Sequence, residues 1–491
     1  MKKALRFLFV VLFIGICSVP LLGLLFGYKN VNVEKRALAE APVLFNEKGF
    51  NASFPEDAEN FLSDHYAFKP QLVTADAVLR GSLFGESVSE KVIVGSGGWL
   101  YFAPTLPDFL AEDTLSENQI LRIFRTLEIQ EEALVQKGVE FIFVIAPNKA
   151  SVYPGHMPAL YTPTGKDNNY DMLYDGLGTS KLGDPDLRSV LRAHTLEEGS
   201  EETLYLKLDS HWTNKGALLA YQSITGEITD QRPELVLPDF SDLPVEKREI
   251  VNGDLSQMLY PAANKSDLQY FYDLPENYSS ARPIRTMEDL LIETSCESGQ
   301  GQLLMFRDSF ANALIPFFSD AFARATYSRA IPYDYRLLSD ETDVVVFEIV
   351  ERNVINILDS APILNSFIVE DMTAARPDDM DLNVRTEEQE DGLFRLYGTA
   401  VPSQYDPEEY YEFFIQIEGD GRSVTYVTFP ILEAELIEES ENANRAEPPA
   451  NAAFSARLDL SELPAGRYQI SIIVKGESET VVAPYGSIQR P

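Results

Sequence analysis

At 491 residues the chain is too long for one simple domain and implies roughly two to four. A hydrophobic share of 45% with 11% aromatics excludes bulk disorder, and 2 cysteines, Cys17 and Cys296, exclude a disulfide scaffold or a cysteine-based zinc site. The 40 Lys and Arg against 77 Asp and Glu leave a net charge of -37, and with no basic cluster in the folded region to offset it, nucleic acid is excluded as a partner.

Lys2, Lys3 and Arg6 precede an apolar run from Phe7 to Gly27. Its length is about what a helix needs to cross ~30 Å of hydrocarbon. Basic residues on that side favour a cytoplasmic amino terminus and place everything after Tyr28 outside. A cleaved signal peptide has the same outline, but the best small-x-small site, Ala37-Leu38-Ala39, lies well beyond the run. Bulky Ile16 before Cys17 argues against lipidation there. Residues 1–28 are therefore read as an uncleaved transmembrane anchor on an exported protein.

Residues 29–88 form a stalk and a helical segment, with Pro70 expected to break the helix over Phe61–Gly81. Val92-Ile93-Val94, a glycine-rich turn and Trp99-Leu100-Tyr101-Phe102 read as a β-hairpin. Ser116 with Gln119 is a capping box, Ile120, Phe124, Leu127 and Leu134 follow a helical stripe, and Gly138 stops it. Phe141–Ala146 is a continuous apolar run of the kind buried on both faces of a sheet, and Gln302–Phe306 and Asp343–Phe347 are two further short, mostly apolar buried strands. Residues 160–200 read as loops around one helix. The fold class for 89–376 is α/β, a parallel sheet with flanking helices. Residues 377–491 switch to short alternating strands, with a long surface loop over Glu438–Ala450, and read as an independent all-β sandwich domain.

Histidine is scarce, with His65, His156, His194 and His211 only. His211 stands out, because Thr213 is a good N-cap and the helix from Lys215 to Thr225 puts His211 on the loop entering it. Asp209 on the same loop can hold Nδ1–H, leaving Nε2 free to take a proton from a nucleophile. Leu303–Phe306, the turn Arg307-Asp308-Ser309 and an amphipathic stretch to Phe318 place Ser309 between a buried strand and a helix start, where backbone N–H groups can stabilise an oxyanion. No phosphate-cradling loop and no metal-ligand spacing is present, so neither cofactor nor metal is implied. Trp99 and Tyr101 read as hairpin core, and Glu351 and Arg352 as a structural ion pair. Asp64 and His65 read as braces of the amino-terminal segment.

Asp209-Ser210-His211-Trp212 ahead of a strand ending in Asp308-Ser309-Phe310 resembles the SGNH-fold alginate O-acetyltransferases (the AlgX/AlgJ family) and the related DHHW proteins. Phe61-Leu62-Ser63-Asp64-His65, Lys91–Gly95 with Gly98–Tyr101, Pro147-Asn148-Lys149, Gly253-Asp254-Leu255 and Glu351-Arg352-Asn353 resemble further stretches of that family, in order, over roughly residues 30–370. The resemblance implies an SGNH-hydrolase-like domain with Ser309 as acyl-accepting nucleophile, His211 as general base and Asp209 as its orienting partner. Asn148 is then a candidate oxyanion donor. Arg307, where many SGNH enzymes have glycine, either closes the site or supports the turn, and Trp212 packs beneath the loop or stacks on sugar.

The implied function is an extracytoplasmic O-acetyltransferase acting through a serine acyl-enzyme on hydroxyls of a polysaccharide or cell-envelope glycan. Acetyl-CoA is absent outside the cytoplasm, so the resemblance also implies a multi-pass membrane acyltransferase as donor. The sandwich would bind glycan or dock a protein. An acetylesterase with the same triad and a non-catalytic glycan-binding scaffold remain open at this point. The net charge argues for a neutral acceptor, with Arg307 and Lys149 as candidates for a local basic groove that would reverse this.

Overall fold

The computed structural model describes residues 2–30, 38–46, 49–84, 87–112, 114–177, 182–183, 185–195, 202–251, 253–369, 375–389, 393–432, 451–461 and 463–490. The apolar run is helix α1, Lys2–Leu25. Its stretch Arg6–Leu25 has a mean hydropathy of 2.7, and its described side chains are exposed or half-buried. Length and composition suit a membrane span, and a signal sequence fits the same description. Part of the small-x-small site, Ala37, and the loop Glu438–Ala450 fall outside the described residues.

Helices α2 (Phe54–His65) and α3 (Lys69–Phe84) follow. The expected break falls at Tyr66–Phe68, not at Pro70: Phe68 adopts φ 63°, and Pro70 sits in the first turn of α3, where a missing N–H costs no hydrogen bond. Strands β1 (Val92–Val94) and β2 (Leu100–Phe102) form the hairpin, with Trp99 and Tyr101 buried. The Ser116 capping box opens α4 (Glu117–Val135), and Gly138 turns the chain at φ 73° into β3 (Glu140–Ala146). The described residues of 160–200 hold two helices rather than one, α5 (Asn169–Leu177) and α6 (Leu187–Thr195). Helix α7 (Asn214–Gln231) runs straight through Gly226, since a glycine inside a helix costs only ~1 kcal/mol against the packing of Tyr221, Ile224 and Ile228.

After α8 (Asp254–Leu259) come β4 (Tyr278–Ser280), β5 (Leu291–Cys296), β6 (Gln302–Phe306), α9 (Ile315–Ala321), β7 (Arg324–Ser328) and β8 (Val344–Val350). The sheet order is β3-β8-β6-β7-β5-β4. Strands β3, β8, β6 and β7 are parallel, as the apolar runs predict, whereas β5 and β4 add an antiparallel edge. Their half-polar sequences carried no parallel-sheet signal.

The pleat sorts the strands' side chains onto two faces. Ile142, Val144, Leu303, Met305, Val344 and Val346 pack against α7 and α9. Phe141, Phe143, Leu304, Phe306, Val345 and Phe347 pack against α4 and α5. The carboxy-terminal strands form a six-stranded and a four-stranded sheet, a sandwich as expected. It does not stand apart: Phe414, Val427, Phe429 and Ile473 join the same apolar cluster as Ile123 and Leu127 of α4. Arg122 of α4 donates to the Ile431 carbonyl and, at 3.2 Å, to Asn451 Oδ1, and Arg125 pairs with Glu412 at 3.2 Å. The sandwich also begins before residue 377, since Ile368 and Val369 already pair with Tyr426 and Thr425.

Candidate functional site

Strand β6 ends at Phe306, and the turn beyond it is fastened to its neighbour. The Asp308 carboxylate accepts the Phe310 and Val350 N–H groups, both at 2.8 Å, while the Asp308 N–H donates to Glu348 Oε2 at 3.0 Å. Burial, then the charge of Asp308, pushes the Glu348 carboxyl well above the usual carboxylate range. Buried Arg307 donates to the carbonyls of Met287 (2.8 Å) and Asp289 (3.0 Å) and to Asn312 Oδ1 (2.6 Å). It supports the turn and does not line the cavity into which Ser309 opens. Burial pulls its pKa down to about 10.

The segment after Ser309 differs from the expected helix. Phe310–Ala313 is a single 3-10 turn, and α9 begins only at Ile315 with Pro316 in its first turn. Proline cannot be inside a helix without losing a hydrogen bond, so the helix starts there instead. Ser309 thus fronts a short turn, and a helix dipole contributes little.

The partner loop precedes α7, whose N-cap Thr213 accepts the Gly216 N–H at 3.2 Å. Trp212 is buried, its Nε1–H donates to the Phe310 carbonyl at 2.9 Å, and its ring meets Phe310 edge-on at 5.1 Å. One side chain therefore joins the two loops. Between them, His211 Nδ1 lies 2.7 Å from Asp209 Oδ1 and His211 Nε2 lies 2.8 Å from Ser309 Oγ. Burial pulls the imidazole down, but the Asp209 hydrogen bond and charge, with Asp254 behind, outweigh it and leave it raised. Burial likewise opposes ionisation of Asp209, and hydrogen bonds from His211 and the Asp254 N–H overcome it, holding the carboxyl well below the usual carboxylate range.

Two residues of the family-like stretches prove central to this loop. Asp254, at the start of α8, accepts the Ser210 N–H at 2.7 Å and the Ser210 hydroxyl, and its Oδ2 lies 3.9 Å from His211 Nδ1. Lys149 is no part of a basic groove. It is buried beneath Trp99 and Tyr101, and its Nζ donates to the carbonyls of Leu206 (2.9 Å), Lys207 (3.2 Å) and Asp209 (2.6 Å). Burial lowers its pKa to about 7.

Asn148 lies behind the site rather than on its wall. Its N–H donates to Glu351 Oε2 at 2.6 Å and its Oδ1 accepts from Arg352 Nη1 at 3.2 Å. The expected Glu351–Arg352 pair is replaced by separate duties: Glu351 accepts from Asn148 and Ser151, and Arg352 covers the rings of Phe102 and Phe310 at 5.5 and 5.3 Å. Burial, then Asp108, pushes Glu351 up to about 7. His65 and His194 bond to the carbonyls of Phe61 and Val190, each at 2.9 Å, and His156 stacks on Trp99. Asp64 braces the amino-terminal stretch as expected, accepting the Ala39 N–H at 2.9 Å.

His211 and Ser309 open into a cavity of about 660 Å³ whose wall also includes Asp64, Lys69, Lys91, Asp254, Met258 and Glu288. Donor atoms of Asp209, His211 and Asp254 lie within 4.8 Å of one another, but each already serves a hydrogen bond of the loop. Such an arrangement can move a proton from a serine hydroxyl to an imidazole held by a carboxylate.

Residues 92–295 match the family described as the SGNH hydrolase-like domain of the acetyltransferase AlgX. This stretch is similar to an AlgX-type SGNH domain. The matched residues include Asp209, His211 and Asp254 and stop short of Ser309, whose placement rests on the geometry. A probable alginate O-acetylase AlgJ of Pseudomonas syringae is 25% identical over 283 residues, covering 58% of this chain and 64% of the relative. One from Pseudomonas fluorescens is 26% identical over 266 residues, 53% of this chain and 61% of the relative. The chain thus spans less than two thirds of the length of these curated relatives. Among solved structures, Bacillus cereus PatB1 is similar at 17% identity and TM-score 0.40, covering 54% of this chain and 96% of that one. The sandwich strands lie outside the matched SGNH domain.

Proposed function

We propose that the chain is an O-acetyltransferase that carries an acetyl group on Ser309 and passes it to hydroxyls of a polysaccharide or cell-envelope glycan. The observation that carries this reading is the continuous line Asp209 Oδ1–His211 Nδ1 and His211 Nε2–Ser309 Oγ, at 2.7 and 2.8 Å, facing an open cavity. Names of the AlgJ relatives support the polysaccharide as acceptor. In the first step His211 Nε2 takes the Ser309 proton as Oγ attacks the acyl carbonyl, and the imidazolium returns that proton to the leaving group. In the second, a sugar hydroxyl gives its proton to Nε2 as it attacks the ester carbon, and the imidazolium returns that proton to Oγ as the ester bond to Ser309 breaks. Asp308 occupies the Phe310 N–H, which leaves the Ser309 N–H as the backbone oxyanion donor at this turn. Asn148, whose carboxamide oxygen is taken by Arg352 at 3.2 Å behind the cavity wall, has no part in this step.

The site lies outside the cytoplasm under this reading, with α1 retained as an anchor, a multi-pass membrane acyltransferase as donor and the sandwich as a glycan-binding or docking module. The acceptor is neutral or sparsely charged. Four carboxylates, Asp64, Asp209, Asp254 and Glu288, border the cavity against Lys69 and Lys91.

The test is acylation of the full chain by an activated acetyl ester, followed by peptide mapping. One label on the peptide holding Ser309, lost in Ser309→Ala, is expected. A folded protein that takes no label rejects the covalent mechanism. A label discharged to water and never to an added oligosaccharide identifies an esterase instead.

A further inference from the structure

The cavity holding His211 and Ser309 is not closed by the SGNH domain alone. Asn30 and Leu38, from the stretch after α1, and Lys69, Pro70 and Val73 of α3 form part of its wall. The same stretch grips the end of α1. The Ala67 N–H donates to the Pro20 carbonyl at 3.1 Å, the Tyr28 and Phe68 rings lie 4.4 Å apart, and Asn30 Nδ2 donates to the Tyr66 carbonyl at 2.8 Å. Gly23 approaches so closely that a Cβ there would stand 2.4 Å from that of Ala67. Residues 26–30 alone separate the end of α1 from the cavity wall, and a chain that short reaches at most about 17 Å.

A second observation concerns the outer surface of this segment. Val43, Phe45, Phe50, Leu72, Val78 and Leu79 are all exposed, Phe45 at 66% and Phe50 at 64%. Six large apolar side chains exposed between residues 43 and 79, with the Phe45 and Phe50 rings 6.1 Å apart, suit an interaction surface, and the segment follows a helix that is itself apolar and exposed.

We infer that the apolar surface of residues 38–84 rests in the interfacial layer of the bilayer, and that the acyl cleft is thereby presented at the membrane surface, to a donor resident in the membrane. The inference rests on α1 being retained as a span and deepens the proposed function by stating where the acyl group arrives. Side chains such as Phe45, Phe50 and Val78 would sit ~5–10 Å into the headgroup boundary. The rings gain apolar contact there at no cost to any hydrogen bond, since phenylalanine carries no polar side-chain atom.

The experiment uses the full chain in phosphatidylcholine vesicles containing a lipid with a nitroxide near the headgroup. Single cysteines bearing an environment-sensitive fluorophore replace Phe50, Val78 and Met258 on the cavity rim, with Leu160 and Val236, which are exposed by 84% and 70%, as controls, in a background lacking Cys17 and Cys296. Quenching of at least about twofold at 50, 78 and 258, and none at 160 and 236, is expected for an interfacial segment. Uniform absence of quenching, or intact-mass evidence that residues 1–28 are removed, overturns the inference. The readout is independent of chemistry. A labelled Ser309 without quenching defeats the membrane placement alone, and quenching without a labelled Ser309 defeats the proposed function while leaving the placement standing.

Discussion

Replacing Asp254 with Asn tests how far the second carboxylate sets the basicity of His211. Asp254 Oδ2 lies 3.9 Å from His211 Nδ1. Unit charges ~4 Å apart interact by about 4 kcal/mol at an effective dielectric of ~20 and by about 1 kcal/mol in bulk water. The two side chains are 28% and 31% exposed, so solvent screening places the interaction toward the lower figure. At about 1.4 kcal/mol per pH unit, this is about one unit of imidazole pKa. The other charges facing the ring are Asp209, which raises its pKa, Arg352, which lowers it, and Glu288 across the cavity. None of these changes in the variant, and Asn retains an oxygen for the Ser210 N–H, now held at 2.7 Å. Only neutral His211 accepts the serine proton, and its pKa is raised above 6.5, so the wild-type acylation rate falls on the acid side with a midpoint above 6.5. In Asp254→Asn that midpoint moves about one unit toward acid, with the alkaline plateau preserved within a few-fold. Stopped-flow measurement of the acylation burst from about pH 5 to about pH 9 reads both quantities. An unmoved midpoint in a folded variant refutes the electrostatic argument, and a lost plateau without a shift assigns Asp254 to loop structure only.

Trp212→Phe keeps the ring against Phe310 but leaves a buried carbonyl without its donor, at a cost of about 1–3 kcal/mol. We expect a lower melting temperature and a kcat that falls more than KM changes, because the two loops lose their common link. Ending the chain after Arg376 strips Phe414, Val427, Phe429 and Ile473 from the cluster they share with α4, each worth about 1.5–3 kcal/mol when fully buried. The shortened protein should lose its cooperative melt, and a native-like transition would prove the sandwich separable. With a net charge of -37, neutral oligosaccharides should outcompete polyuronates at low ionic strength, the gap narrowing as salt shortens the Debye length from ~10 Å at 0.1 M. A polyanion preferred at low salt would contradict this.

The parallel strands and capped helices were legible because their signals are local. Phe141–Ala146 and Gln302–Phe306 are apolar at nearly every position, and Ser116 with Gln119 completes its own cap. His211 and Ser309, 98 residues apart, were legible as a pair because each sits on a loop entering a new element. What escaped was non-local. Lys149 reads as a surface charge, and only the fold brings three carbonyls of another loop to its ammonium. Asp254 stands in the sequence only as part of a family-like stretch, Gly253-Asp254-Leu255, until its carboxylate is seen beside His211. The sandwich looked autonomous because alternation within a strand does not reveal which outer face lies against a helix, as Phe414 and Ile473 do.

The sheet also acts as a partition. Trp212 and Phe310, beside the cavity, belong to the cluster on one face, while the sandwich packs into the cluster on the other. A chain gripped by the sandwich can reach Ser309 only by rounding an edge of the sheet, and an acceptor of a few sugars cannot occupy both places at once. Discrimination by the sandwich would therefore be a property of polymers alone. Short model acceptors would report the chemistry of the cleft and remain blind to whatever the far side recognises.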